Sequence, residues 1–381
     1  MCTCFSTDVL LRTTREFLRM PTPLLSLALA LAALSASAAS AAPLAWTRHA
    51  LPLSGELVLT DVHAISAGDR VVALASGEAG VLLKLDAPAT QKEGTWTTLL
   101  DTSFPTYWYG VYLFTADSYL ISGFIDGSGV AYGVVAFSDD AGKTFGNDTK
   151  IDPCGGAVCA WGGGPIEFAN ATEGYMPSTA GATAWRTQAG GRNASEWVEI
   201  TPSAGQWHAG DYLYDKQGTI RIAGSNDCTS TDFGVTFTCM PAWDSSGMDS
   251  AISCAGAHCL VGGGEISPDV LGWVHVSADG GKSFAPTRAL QAAFPVRSVQ
   301  VVATSGGAPA VMIAAGGNFF SAVGGIYSSA DGGTTWSLDI DLGEEVKACR
   351  ALPLPALKLT RVYCVSAGQK GGSIVSADVP M

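Results

Sequence analysis

The sequence predicts an all-β chain: a seven-bladed β-propeller with four-stranded blades, closed by pairing of its N-terminal strand with the C-terminal blade. Three observations carry this. A turn motif recurs about every 48 residues, short apolar strand-like segments lie between its copies, and the two chain ends hold complementary fragments of one further copy. Composition agrees: 381 residues with 47% hydrophobic and 14% charged side chains can bury a large core, and 46 glycines favour turns and short strands over helices.

The motif is Ser-x-Asp-x-Gly-x-Thr-aromatic. Intact copies are "SDDAGKTF" (138–145), "STDFGVTF" (230–237), "SADGGKSF" (277–284) and "SADGGTTW" (329–336), and degenerate ones end in "EGTW" (93–96) and "NASEW" (193–197). The closing aromatics Trp96, Phe145, Trp197, Phe237, Phe284 and Trp336 are spaced by 49, 52, 40, 47 and 52 residues. Ser and Asp oxygens accept backbone N–H groups across such a turn. Gly supplies angles that a side chain resists, and the aromatic opens the next strand and packs between blades.

This turn resembles the Asp-box (BNR) repeat of sialidases, sortilin-type receptors and the lumenal photosystem II assembly factor. The resemblance implies a box joining the third and fourth strands of each blade. It implies little about function, because the box is structural in all those proteins.

The chain ends set the blade count. A final "SAD" begins at Ser376, 47 residues after Ser329, and has no aromatic strand after it. Near the other end "LAWTRHAL" places Trp46 50 residues before Trp96. The strand around Trp46 therefore completes the blade begun at the C-terminus, which removes the exposed edges of a linear array. Within blades, "DVHAIS", "RVVALAS" and "VLLKLD" read as strands of the first, and "SVQVVAT", "AVMIAAG" and "GIYSSAD" as strands of the sixth. The glycine runs at 162–164 and 262–264 read as strand-end bends.

Residues 24–42 are apolar and then small, following Arg12, Arg15 and Arg19, which reads as a secretory signal at 1–41 before a propeller domain at 42–381. A membrane anchor is the alternative, but the apolar part is shorter than the roughly 20 residues that span a bilayer. The remaining eight cysteines form four local pairs: Cys154/Cys159, Cys228/Cys239, Cys254/Cys259 and Cys349/Cys364. Behind a signal they read as disulfides, each within one blade, with buried free thiols as the alternative. Three of the five asparagines, Asn147, Asn170 and Asn193, open glycosylation sequons, in keeping with a secreted glycoprotein. Residues 42–381 keep 18 of the 21 Lys plus Arg and 32 of the 34 Asp plus Glu, a net charge of −14. That surface repels phosphate backbones and polyanions, so nucleic acid is not expected as a partner.

No nucleophile elbow, P-loop, dinucleotide loop or HExxH occurs. No CxxC occurs either and the five His are scattered, so neither metal nor cofactor is expected. A sialidase would need three Arg on a carboxylate, a Tyr nucleophile with a Glu partner, an acidic Asp and an Arg-Ile-Pro motif. That motif is absent, and none of the nine Arg after residue 41 matches the triad's context. A glycoside hydrolase acting on a neutral polysaccharide stays open, with Asp126, Asp211, Asp249 and Asp269 as loop acids; it needs two carboxyls about 5 or 6.5–9.5 Å apart. The photosystem factor matches in length, blade number and the pattern of "NATEGYMPSTAGATAWRTQAGG" (170–191), so the thylakoid lumen is the alternative location. The cysteine pairs, the sequons, the short presequence and the missing basic patch count against it.

The remaining reading is a monomeric, non-catalytic binding module for a protein or neutral glycan. The loops between blades and between strands two and three form the face opposite the boxes. They carry Tyr107, Trp108, Tyr109, Trp207, His208, Asp211, Trp243 and Trp273. Aromatics with a few polar neighbours suit stacking on sugars or gripping a peptide; packing of the Trp residues between blades is the alternative.

Overall fold

The computed structural model describes residues 43–53, 57–101, 106–127, 130–146, 149–151, 165–177, 184–200, 212–214, 218–224, 226–241, 248–264, 271–285, 288–304, 310–318, 320–369 and 371–381. The expected signal segment, Cys154, Cys159 and the glycine run at 162–164 lie outside them.

Seven four-stranded antiparallel sheets follow one another along the chain. Strand β1 (Trp46–Arg48) comes first and belongs to the last blade. Blade 1 is β2 (Leu59–Ala67), β3 (Arg70–Gly77), β4 (Val81–Pro88) and β5 (Trp96–Asp101); blade 2 is β6 (Thr106–Leu113), β7 (Tyr119–Gly127), β8 (Val130–Ser138) and β9 (Thr149–Ile151). Blade 3 is β10 (Glu167–Phe168), β11 (Gly174–Pro177), β12 (Ala184–Thr187) and β13 (Trp197–Ile200). Blade 4 is β14 (Tyr212–Tyr214), β15 (Ile220–Ile222), β16 (Asn226–Ser230) and β17 (Thr238–Pro241). Blade 5 is β18 (Met248–Ala255), β19 (His258–Gly264), β20 (Gly272–Ser277) and β21 (Leu290–Ala292). Blade 6 is β22 (Val296–Val302), β23 (Val311–Asn318), β24 (Val323–Ser329) and β25 (Ser337–Asp341). Blade 7 is β26 (Glu345–Leu354), β27 (Leu359–Ala367), β28 (Ile374–Pro380) and, from the other end of the chain, β1.

The ring closes as the period predicts. Trp46 pairs with Ala377, Thr47 with Ser376 and Arg48 with Val375. His49 extends the join, its backbone N–H donating to Ile374 O and its Nε2 lying 2.9 Å from Ser376 Oγ. First strands sit side by side around the axis, β2 between β26 and β6, and β22 between β18 and β26.

The core is a set of separate inter-blade clusters, each holding one of the recurring aromatics. Trp96 packs between blades 7 and 1, Phe145 between 1 and 2, Trp197 between 2 and 3 and Phe237 between 3 and 4. Phe284 serves blades 4 and 5, Trp336 serves 5 and 6, and Trp46 takes the place between 6 and 7. One aromatic per wedge explains the repeat's most constant position. Burying such a ring contributes roughly 2–3 kcal/mol.

The turns join strands three and four. In the last of them Asp331 Oδ1 accepts the N–H groups of Thr334 and Thr335, both at 2.9 Å, and Asp331 Oδ2 accepts Thr335 Oγ1 at 2.6 Å. Ser329 Oγ donates to Asp331 Oδ1 at 2.8 Å and accepts the Gly333 N–H at 2.8 Å. The turns at 138–145, 230–237 and 277–284 repeat this pattern. Hydrogen bonds from Thr144 and from Thr236 hold the Asp140 and Asp232 carboxyls down at about 2. The fourth and fifth residues of every copy have positive φ: Ala141 and Gly142, Phe233 and Gly234, Gly280 and Gly281, Gly332 and Gly333.

Three cysteine pairs are disulfides within single blades. Cys228–Cys239 joins strands three and four of blade 4, and Cys254–Cys259 and Cys349–Cys364 join strands one and two of blades 5 and 7. The run at 262–264 ends a strand as expected but is a correction in one respect: it forms the last three paired residues of β19 rather than a bend. Side chains at Gly262 and Gly264 would run into Val296 and Pro295 of the next blade, so these glycines serve close blade packing.

Candidate functional site

One face of the ring carries the starts of the first strands and the loops between strands two and three; the boxes lie on the opposite face. We call the former the mouth. Its geometry is set by a repeated β-bulge near the start of the first strand, centred on Thr60, Tyr109, Ser250, Arg297 and Lys347 in blades 1, 2, 5, 6 and 7. A bulge bends the strand and re-aims its side chain. Thr60 and Ser250 use theirs to donate to Trp108 O and Val296 O of the following blade.

Three residues after each bulge stands a polar side chain: His63, Tyr112, Ser253, Gln300 and Arg350. Each reaches the adjoining blade. His63 Nδ1 accepts the Leu113 N–H at 3.3 Å, Tyr112 Oη donates to Phe168 O at 3.3 Å, Ser253 Oγ accepts the Val301 N–H at 3.1 Å, and Gln300 Nε2 donates to Cys349 O at 2.8 Å. Arg350 places Nε 3.8 Å from Asp61 Oδ1 of blade 1 and pairs through Nη1 with Glu167 of blade 3. The guanidinium thus runs from blade 7 past blades 1 and 2 and ties the far side of the axis.

These groups are committed to structure. Burial, with help from Arg350, pulls the His63 imidazole down to about 3, so at neutral pH it is uncharged and free to accept from Leu113. Burial and the Glu167 charge push the Tyr112 hydroxyl up to about 12, so it stays protonated. Neither is poised as a general base or nucleophile near neutrality.

The outer part of the mouth is aromatic and charged. Tyr107 and Tyr109 are half-buried and both stack on Phe124, at 4.6 and 5.6 Å between centroids. Burial, the nearby Glu78 carboxylate and Tyr107 push the Tyr109 hydroxyl up to about 12, leaving it a donor. Glu78 itself is raised by burial, opposed by Lys347. Across the mouth, the buried Glu345 carboxylate takes Arg297 Nε at 3.1 Å and Lys347 Nζ at 2.7 Å. Beside it Glu344 accepts Ser366 Oγ and Ser373 Oγ, both at 2.6 Å. At the rim, the loop between β23 and β24 presents Phe320 with 88% of its surface exposed. An Asx turn, with Phe320 N–H on Asn318 Oδ1 at 3.0 Å, shapes this tip.

The sequence-derived candidates divide. Tyr107 and Tyr109 sit at the mouth. Trp108 points the other way, into the core between blades 1 and 2, 5% exposed and with no hydrogen-bond partner for Nε1 among the described residues. Trp273 on β20 is wholly buried beneath Arg288, whose Cζ lies 4.8 Å from the indole centroid. Trp207, His208, Asp211, Trp243 and Asp269 lie outside the described residues, as do the side chains of Asp126 and Asp249. Sequence reasoning missed Phe320, the Arg297–Glu345–Lys347 group and the Arg350–Glu167 tie. Among the described residues no three His, Cys, Asp or Glu converge on a point that would hold a metal ion.

No protein-family model and no curated protein matches the chain. Solved structures match it over most of their length. One is YCF48 from Cyanidioschyzon merolae, with a TM-score of 0.56 and 16% identity, covering 87% of this chain and 98% of that one. Another is YCF48 bound to D1 peptide, with a TM-score of 0.55 and 14% identity, covering 88% and 96%. At such identity the likeness is one of fold: the chain is a propeller of this kind.

Proposed function

We propose that the chain is an exported propeller that binds a protein segment at its mouth and performs no chemistry of its own. The observation that carries this reading is the 88% exposed Phe320 on a turn-stabilised rim loop, on the same face as the half-buried Tyr107–Phe124–Tyr109 stack. An exposed aromatic that shares a face with a second aromatic group gives a partner apolar surface to cover, and aromatic anchors beside charged groups are the usual makings of a protein-binding centre. The solved propeller bound to D1 peptide supports the same class of ligand for this fold. The commitment of His63, Tyr112 and Arg350 to inter-blade contacts argues against a glycosidase centre around the axis.

Export is supported by the three disulfides and by the exposed sequons at Asn170 and Asn193. Asn170 and Asn193 both lie in box-face loops of blade 3, each amide donating to the Glu three residues on, at 2.7 and 2.9 Å. Glycans there leave the mouth clear. No helix among the described residues is long and apolar enough to cross a membrane.

The experiment is peptide-display panning and a neutral-glycan array, run in parallel on the full chain and its Phe320→Ser and Tyr109→Ala forms. Peptides enriched on the parent and lost on Phe320→Ser support the proposal. Enrichment indifferent to both changes, or binding to glycans alone, rejects it.

A further inference from the structure

The three disulfides among the described residues differ in their surroundings. Cys349 and Cys364 are both buried, paired in the middle of the long β26–β27 ladder and packed in the cluster between blades 6 and 7. Cys228 is buried and Cys239 half-buried, and the ladder continues on both sides of them, with Asp227 opposite Met240 and Thr229 opposite Thr238. Cys254–Cys259 stands instead at the end of the β18–β19 hairpin. Beyond it the ladder holds one further pair, Ala255 with His258, and then the exposed turn residues Gly256 and Ala257. A side chain added at Gly256 would meet nothing within 4 Å, so the tip stands in open solvent. Cys259 is wholly buried and Cys254 half-buried, which makes Cys254 the approachable end of the bond.

A guanidinium lies against this pair. Arg221, on β15 of blade 4, places Nη1 3.7 Å from Cys254 Sγ and 3.9 Å from Cys259 Sγ. The box of blade 5 holds it there: Nη1 donates to Gly280 O, and Gly281 has no side chain to displace it. The Gly280 N–H in turn donates to Ala257 O of the hairpin tip at 2.8 Å. Tip, box and guanidinium form one hydrogen-bonded unit, in which a backbone carbonyl rather than the disulfide fixes the cation beside the sulfurs.

Exchange between thiols and disulfides needs an approachable sulfur for the incoming thiolate and a stabilised thiolate on the sulfur that leaves. A cation beside a cysteine favours the thiolate over the thiol. The hairpin end supplies the first condition and Arg221 the second.

We infer that Cys254–Cys259 is a reducible disulfide, a site of thiol–disulfide exchange with a dithiol, in which Cys254 Sγ is the sulfur attacked and Arg221 stabilises the departing thiolates. One thiolate of the dithiol bonds to Cys254 Sγ; the Cys254–Cys259 bond breaks and its electron pair leaves on Cys259 Sγ. The second thiolate of the dithiol then attacks the dithiol's own sulfur in the mixed disulfide and expels Cys254 Sγ. Two electrons pass from the dithiol to the protein, a disulfide forms on the reagent, and the reagent's two protons pass through solvent to the two cysteines. Reduction unties the hairpin tip beside the box of blade 5, on the face away from the mouth.

The test uses dithiothreitol on the full folded chain at neutral pH, with samples alkylated over time and each cysteine quantified by peptide mass spectrometry. Cys254 and Cys259 are expected to be labelled about tenfold faster than the Cys228/Cys239 and Cys349/Cys364 pairs, while circular dichroism stays that of the folded protein. Arg221→Met should slow labelling of Cys254 and Cys259 several-fold, with Arg221→Lys restoring part of the rate. The labelling order in the parent stands on its own where Arg221→Met disturbs folding. Labelling of either other pair first or at the same rate, or an unchanged Cys254/Cys259 rate in folded Arg221→Met, overturns the inference.

Discussion

Replacing Arg350 by Met removes a side chain that joins blade 7 to blades 1 and 3 across the axis. Its guanidinium side chain is 15% exposed, and it faces Asp61, fully buried, and Glu167, 20% exposed. Breaking a buried ion pair from one side costs about 3–5 kcal/mol, because the partner's charge stays behind. Residual solvent access to Glu167 trims this, so we expect about 2–4 kcal/mol. With an unfolding entropy of about 2.1 cal/mol/K per residue across a ring of this size, a loss of ~3 kcal/mol lowers Tm by about 4 °C. The assay is urea and thermal unfolding in a double-mutant cycle of Arg350→Met with Glu167→Gln. A coupling energy of about 1–3 kcal/mol is expected, the double variant being less harmed than the sum of the singles. Coupling below about 0.5 kcal/mol, or an unchanged Tm for Arg350→Met, refutes the cross-axis tie.

Other outcomes follow from the same geometry. The folded His63 imidazole takes a proton only near pH 3 whereas the unfolded one does so near 6.5, so the unfolded state binds more protons between them and stability is lost as pH falls below 6.5. At pH 5 this single group costs about 2 kcal/mol, and urea midpoints against pH should show a shallower acid slope for His63→Asn. Removing the Cys349–Cys364 disulfide, which closes a loop with a sequence separation of 15, should cost about 3 kcal/mol in non-reducing urea melts of the double Ser variant. Gly123→Ala puts a methyl into Tyr107 O, which should cost about 1–3 kcal/mol and weaken any mouth ligand. Phe320→Ser should change Tm little while abolishing peptide capture, as expected of a side chain 88% exposed on a rim loop.

The parts legible in the sequence are those whose physics is local. A box closes its hydrogen bonds within eight residues, so Ser329, Asp331 and Thr335 reveal it without any knowledge of the fold. Disulfides such as Cys228–Cys239 link residues that face each other across one antiparallel pair, and closure was readable because Trp46 and Ser376 keep the period of the repeat. Trp108 was not legible from alternation alone: the bulge at Tyr109 interrupts the period of two in this strand, so which of residues 107–109 faces inward is set by the fold. The polar belt was faintly present as His63, Tyr112, Ser253, Gln300 and Arg350 interrupting apolar first strands at blade spacing. Its meaning was not, since a bulge at Lys347 decides which way Arg350 points, and Glu167 lies four blades of sequence away. Phe320 sits in a loop tip, where no periodicity separates an anchor from an incidental aromatic.

The most direct test of the account is hydrogen–deuterium exchange of the full chain with and without a peptide selected by panning. It predicts added protection confined to the mouth, at 107–109, at 318–323 and at the first turn of β26 around Glu345, with exchange at the four boxes unchanged. Protection at the boxes or along the outer strands, with 318–323 unaffected, contradicts it.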